Sequence, residues 1–355
     1  MLGARPSTKI FVLWFSFFKN MNKISKIDKS NMKKVILDFP KQFKIGLDAA
    51  KHIPISTIQY PISNIIVCGM GGSAWPAELL RDWLNLSFPF YVNKTYVLPP
   101  QTNKKSLVII SSYSGNTEET LSCYEEAKKR GLNIVGLTTD GKLKELCQKD
   151  KKSLVLIPKD VPAPRLGCGY TFASLAKILS NVGLIEDKSK EIMAMAKNLK
   201  PAQKENDGKK LAKKIAKKIP IVYTTDRLKV LAYIWKIKFN ETGKIPAFSN
   251  HFPELNHNEL NGYLKTNKNL LVIILKDNEE HPKIIERMEI TARLIGSKNI
   301  SVTTISLAGK SLLEKIFNSV LLADWASYYL AIFRGIDPIP VEMVEGLKRK
   351  MIRMF

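Results

Sequence analysis

The chain has 355 residues, 45% of them hydrophobic and 25% charged, a balance that excludes a disordered polymer and suffices for two ordinary domains with their own cores. The net charge of +24 invites a nucleic-acid reading, but only ten of the 56 basic residues are Arg, and base recognition recruits the bidentate guanidinium fork. The lysines are spread along the chain and densest on helix-like stretches such as 209–218, so they read as solvated helix faces that steer anions rather than as a nucleic-acid surface.

Cys68, Cys123, Cys147 and Cys168 form no CxxC pair and no zinc spacing. Scattered thiols of this kind point to buried cysteines in a reducing compartment, hence a cytoplasmic protein without a metal. In chain order, residues 10–18 are an apolar run between Lys9 and Lys19. The run is shorter than the roughly 20 residues a bilayer crossing needs, and no small-residue cleavage site follows it. Residues 1–20 therefore read as an appendage, and no other segment is expected to span a membrane. Residues 21–205 are expected to form one domain with a leading helical segment. Residues 206–355 form a second with terminal helices, and the Lys-rich stretch 197–210 reads as the linker region.

Short apolar runs alternate with amphipathic patterns. Strands are expected at 65–68, 90–92, 95–98, 107–110, 134–137 and 154–157, and in the second half at 221–223, 270–275 and 302–307. A helix is expected over 117–130, with Glu118 and Glu119 in its first turn and two lysines and Arg130 in its last, as the helix dipole favours. Apolar strands separated by helices imply an α/β fold of two doubly wound halves, their parallel sheets covered on both faces. Ligands of such sheets bind at the carboxyl ends of the strands, where the strand order reverses.

Two loops carry the strongest chemistry. Gly69-Met70-Gly71-Gly72-Ser73-Ala74 follows a strand and opens a helix, where glycines let the backbone approach an anion and free N–H groups receive it. Its spacing fits G-x-G-x-x-A, but a dinucleotide site requires an acidic residue about 20 positions on, at the end of the next strand, to hold the ribose. The stretch 91–99 offers none. In the second loop Ser111, Ser112, Ser114 and Thr117 crowd hydroxyls around Gly115-Asn116 before a helix start. Thr117 suits an N-cap, although Thr120 replaces the glutamate of a full capping box. Capping explains one or two hydroxyls; the set suits the oxygens of a phosphate.

Gly-Met-Gly-Gly-Ser-Ala, followed by Ser-Tyr-Ser-Gly-Asn-Thr-Glu-Glu-Thr, resembles the sugar isomerase (SIS) domain. The tandem arrangement and the later Glu254-Leu255-Asn256-His257-Asn258-Glu259 are similar to the bifunctional phosphoglucose/phosphomannose isomerases of archaea and some bacteria. The resemblance implies two SIS domains and a homodimer. It also implies cofactor-free interconversion of glucose 6-phosphate, mannose 6-phosphate and fructose 6-phosphate. By that resemblance Gly72, Ser73, Ser112, Ser114 and Thr117 form the phosphate cradle, and Arg165, in the loop after a strand, is the active-site arginine.

Such a reaction needs the sugar ring opened and a proton moved between C1 and C2 through an enediolate, work for a carboxylate, a His or Lys and a cation. Glu241, Glu254 and Glu259 are the candidate carboxylates. The family pattern selects Glu241 as the base, His257 as the ring opener contributed by the partner subunit, with His251 its rival, and Lys348 on the terminal helix, with Lys350 two residues on. Two departures stand out: Trp75-Pro76-Ala77 where small residues are expected, and no threonine in 337–341, which makes mannose 6-phosphate the less secure substrate. Competing readings are a non-catalytic SIS sensor of sugar phosphate, and a nicotinamide-dependent dehydrogenase that the missing ribose carboxylate disfavours.

Overall fold

A computed structural model describes residues 24–53, 58–59, 61–265 and 269–352; the apolar run at 10–18 lies outside them. Helices α1 (Met32–Asp38) and α2 (Lys41–Ala49) lead into β1 (Asn64–Cys68), α3 (Trp75–Leu84), β2 (Phe90–Asn93), β3 (Ser106–Ser111) and α4 (Glu118–Lys129). The first half continues through β4 (Asn133–Thr138), α5 (Lys142–Lys149), β5 (Ser153–Leu156) and α6 (Cys168–Asn181). Helices α7 (Ser189–Asn198) and α8 (Pro201–Ile215) lead to the second half, β6 (Ile219–Thr225), α9 (Lys229–Glu241), β7 (Phe248–Phe252), α10 (Leu255–Asn258), β8 (Leu270–Lys276), α11 (Pro282–Gly296) and β9 (Ser301–Ser306). Helices α12 (Leu312–Phe333) and α13 (Glu342–Ile352) close it.

Two parallel sheets result, ordered β2-β1-β3-β4-β5 and β7-β6-β8-β9. Every residue of β1, β3 and β4 is buried, as expected of strands covered on both faces. In each sheet the chain leaves its first strand to one side and returns to the other, so β1/β3 and β6/β8 are the switch points. One hydrophobic core runs through both halves. Phe43 and Phe172 of the first half stack edge-on against Phe317 of α12, with ring centroids 4.8 and 5.0 Å apart.

Three expectations change. Residues 95–98 form a bend rather than a strand, because the Asn93 side-chain amide donates to the Thr95 and Val97 carbonyls that a ladder would need. The stretch 197–210 is no linker: α8 packs on α12, and Gly208 lies so close to Trp325 that a Cβ would stand 2.2 Å from the Trp325 Cβ. The polar sequence hides this because the buried face of α8 is Pro201, Gly208, Leu211, Ala212 and Ile215. Finally, the 22-residue α12 is long and apolar enough to cross a membrane, yet 83% of its most apolar stretch is buried inside the protein; its hydrophobicity serves the shared core.

Candidate active site

Both hydroxyl- and glycine-rich loops lie at the β1/β3 switch point. After β1, residues Gly71–Ser73 form a turn of 3-10 helix that runs into α3, whose N-terminal Trp75 and Pro76 are buried. The Trp75 ring lies 5.8 Å from the Lys238 ammonium, so this bulky departure is absorbed between α3 and α9. The Ser73 hydroxyl accepts the Tyr113 N–H at 3.0 Å, and Ser111 donates to the Ser73 carbonyl at 2.9 Å, binding the two loops together. Ser112 and Thr117 share a hydrogen bond of 2.9 Å, and the Ser114 hydroxyl accepts the Asn116 N–H at 3.2 Å. Thr117 occupies the N-cap position without a capping hydrogen bond, so its hydroxyl turns to Ser112 and the capping expectation is corrected. First-turn N–H groups of α4 are then left for an anion. Gly115, at φ 71, is required because a Cβ would stand 1.8 Å from the Asp140 carbonyl oxygen of the next loop.

The loop after β5 delivers Arg165 on a 3-10 turn, Pro164–Leu166. This turn lies directly on Gly72: a Cβ there would be 2.7 Å from the Arg165 nitrogen and 2.8 Å from its Cα. Arg165 is buried, only 3% exposed, and spends its donors across the boundary between the halves. Nε donates to Thr242 Oγ1 (3.0 Å), Nη1 to Glu241 Oε2 (3.3 Å), and Nη2 to the Pro338 and Ile339 carbonyls (2.8 and 2.9 Å). Burial pulls the guanidinium below its ordinary value while Glu241 and Asp324 oppose that pull. Arg165 thus joins the first glycine loop to Glu241, the last residue of α9.

Glu241 lines a cavity of about 750 Å³. Asn240, Lys244 and Phe248 also face it, as do Asp337 and the first residues of α13. Lys244 donates to the Glu241 carbonyl at 2.6 Å and to the Pro340 carbonyl. Burial, then Arg165, lowers its pKa, against Asp337, Glu241 and Glu342. Thr242 and Lys244 were not among the residues expected here. Their signal was adjacency to Glu241 at a helix end, which any C-terminal helix turn shares.

The other expected residues are not gathered at this cavity. Exposed His257 lies on α10, beyond the carboxyl end of β7, whereas Glu241 precedes its amino end. The five residues of β7 alone span roughly 15 Å at about 3.3 Å each. His251 pairs with Asp226 (3.3 Å). Glu259 accepts from Tyr223 and from Asn250 at 2.6 Å, and Glu254 from Asn258 at 2.8 Å. Lys348 is exposed and pairs with Glu345 one turn back at 2.8 Å, and Lys350 is exposed on the next turn. All four cysteines are free and buried. Among the described residues no group of three or more His, Cys, Asp or Glu could hold a metal ion.

Residues 204–351 match the family described as bacterial phospho-glucose isomerase C-terminal SIS domain. A bifunctional phosphoglucose/phosphomannose isomerase from Caldicellulosiruptor bescii is 37% identical over 89% of this chain and 97% of its own. One from Aquifex aeolicus is 33% identical over 90% and 97%. Among solved structures, the C-terminal domain of glucosamine-fructose-6-phosphate aminotransferase from Francisella tularensis superposes with a TM-score of 0.69 at 15% identity, covering 87% of this chain and 98% of that one. That likeness speaks for the fold.

Proposed function

We propose, from the premise that this chain belongs to the bifunctional phosphoglucose/phosphomannose isomerase family, that the cavity at Glu241 is where it isomerises its substrate. The protein is an aldose–ketose isomerase that interconverts glucose 6-phosphate and mannose 6-phosphate with fructose 6-phosphate. The observation that carries the site assignment is the buried Arg165, which rests on the first glycine loop and holds the Glu241 carboxylate at 3.3 Å beside the cavity.

In this reading the phosphate sits on Gly72, Ser73, Ser112, Ser114, Thr117 and the first turn of α4, where N–H groups and hydroxyls complement its charge. With the ring open, Glu241 removes the C2 proton and returns it to C1 while the hydroxyl proton passes from O2 to O1, and the Arg165 guanidinium stabilises the enediolate oxygen. Glucose and mannose 6-phosphate differ in configuration at C2, and the planar enediolate erases the difference. His257 opens the ring from a second copy, since its own chain keeps it at the far end of β7. The active assembly is therefore a homodimer, each copy completing the other's site. Lys348 joins the sugar oxygens from the terminal helix, Lys350 being the residue two along. The domains divide near residue 205, and the reaction feeds glycolysis and gluconeogenesis in the cytoplasm without a cofactor.

A coupled assay with glucose 6-phosphate and mannose 6-phosphate supplied separately tests this. Glu241→Gln is expected to lower kcat by about 10²–10⁴-fold while leaving substrate binding. An unchanged rate would remove Glu241 from the role of base, and binding without turnover in the unmodified protein would favour a sensor.

A further inference from the structure

The segment between α12 and the terminal helix is held in an unusual way. Asp337-Pro338-Ile339-Pro340 presents three consecutive carbonyls to two cations: Arg165 Nη2 takes those of Pro338 and Ile339, and Lys244 Nζ takes that of Pro340. Asp337 Oδ1 accepts the Ile339 N–H at 3.0 Å, and the prolines fix the rest of the turn. Two residues later α13 begins, with Glu342, Met343 and Val344 on the cavity wall. The same Lys244 ammonium also takes the Glu241 carbonyl at 2.6 Å. One side chain therefore ties the end of the helix that bears Glu241 to the turn that launches the terminal helix.

The backbone at Lys244 points the same way. Its φ is 57°, in the left-handed region where glycine is at ease and a lysine is strained. Helix termination alone would be met better by glycine, and the preceding residue, Gly243, does not take that conformation. A lysine at a glycine-favouring position, its side chain folded back over the helix end, suggests that the ammonium is what the position supplies.

We infer that Lys244 is a positioning residue that latches the terminal helix to Glu241, so that cavity wall and base move as one unit. The inference rests on Glu241 being the base. In the closed latch the base is fixed twice, through its carboxylate by Arg165 and through its carbonyl by Lys244. With the latch open, the Asp337–Pro340 turn keeps only Arg165, and α13 gains freedom to swing from the cavity.

Lys244→Gly separates the latch from folding, because it removes the ammonium while suiting the backbone. The variant is expected to keep or raise the wild-type Tm. Its kcat with fructose 6-phosphate is expected to fall about 10- to 100-fold, the scale of a misplaced reacting group, with KM changed less. Limited proteolysis should cut the chain beyond Asp337 faster than in the wild type. Lys244→Arg should regain part of the rate. The charged groups facing the ammonium are Arg165, Glu241, Asp337 and Glu342, and burial with Arg165 places its titration below the ordinary lysine value. The wild-type kcat should therefore decline on the alkaline side as the ammonium loses its proton, and Lys244→Arg should carry that decline to higher pH. Wild-type kcat in Lys244→Gly, or a lost rate without faster proteolysis beyond Asp337, would overturn the latch. Glu241→Gln measured in parallel keeps the two readings apart: full activity there removes the base, whereas release of the terminal helix in Lys244→Gly reports on the latch whatever the identity of the base.

Discussion

The two sheets share a strand order at their switch points but carry opposite chemistry there. Past β3 the chain reads Ser112-Tyr113-Ser114, and at the same places past β8 it reads Asp277-Asn278-Glu279. Past β1 come Gly69 to Ser73, and past β6 comes Asp226, with no glycine before α9. The first pair of loops offers hydroxyls and N–H groups to an anion. The second has filled its own site: Lys315 from α12 reaches Asp277 and Glu279, each at 2.8 Å, and all but Glu279 of this trio are buried. One architecture thus gives a receptive switch point and one closed by an internal counterion. In the proposed site the second half contributes from its opposite edge, through Glu241.

The comparison can be broken by exchanging the chemistry. Ser114→Glu gives the first half the carboxylate that Glu279 supplies in the second, at an exposed position that tolerates the bulk. A carboxylate a few ångströms from a phosphate costs several kcal/mol even at an effective dielectric near 20. KM for glucose 6-phosphate is expected to rise by about 100-fold or more with little change in Tm. An unchanged KM in steady-state kinetics would place the phosphate elsewhere.

Lys315→Met does the converse in the second half. It leaves the buried Asp277 without its cation, and breaking such a pair costs about 3–5 kcal/mol. Denaturant unfolding should show that loss, while KM of the remaining folded enzyme stays near the wild-type value. A large rise in KM would mean that the second switch point also serves the substrate.

The smallest effect is a dependence on pH. Burial works against the charged Lys315, but its bonds to Asp277 and Glu279 prevail and raise its pKa above the ordinary 10.5. A folded-state value above the unfolded one contributes stability that is complete below 10.5 and lost as pH rises through the folded value. Wild-type stability should therefore decline on the alkaline side more steeply than that of Lys315→Met. Parallel slopes in unfolding titrations carried above pH 10.5 would show that the pair does not carry this term.

The glycine- and hydroxyl-rich loops, the alternation of strands and helices and the family were legible along the chain because each is local. A glycine–hydroxyl loop between a strand and a helix announces itself within about ten residues, and so does an apolar run. β7 was not legible: Phe248-Ser249-Asn250-His251-Phe252 lies at a sheet edge with one residue buried, so its apolar signal is weak. Nor was the first half of α8, whose packing face is built around a glycine. At the candidate site the residues themselves mark Glu241 and Arg165 only as a helix-end glutamate and a loop arginine, 76 positions apart, and it was the family resemblance that gave them roles.

By itself the sequence determined the class of fold, the glycine- and hydroxyl-rich loops and the set of residues from which a site could be drawn, because backbone propensity and local hydrogen bonding act over short separations. Tertiary structure alone decided which of them meet. It buried Arg165 against Gly72 and turned its guanidinium to Glu241. It folded Lys244 onto Pro340, and it left His257 at the other end of β7. Those outcomes depend on how the two sheets pack through α12 and their shared core, a long-range arrangement that no window of residues contains.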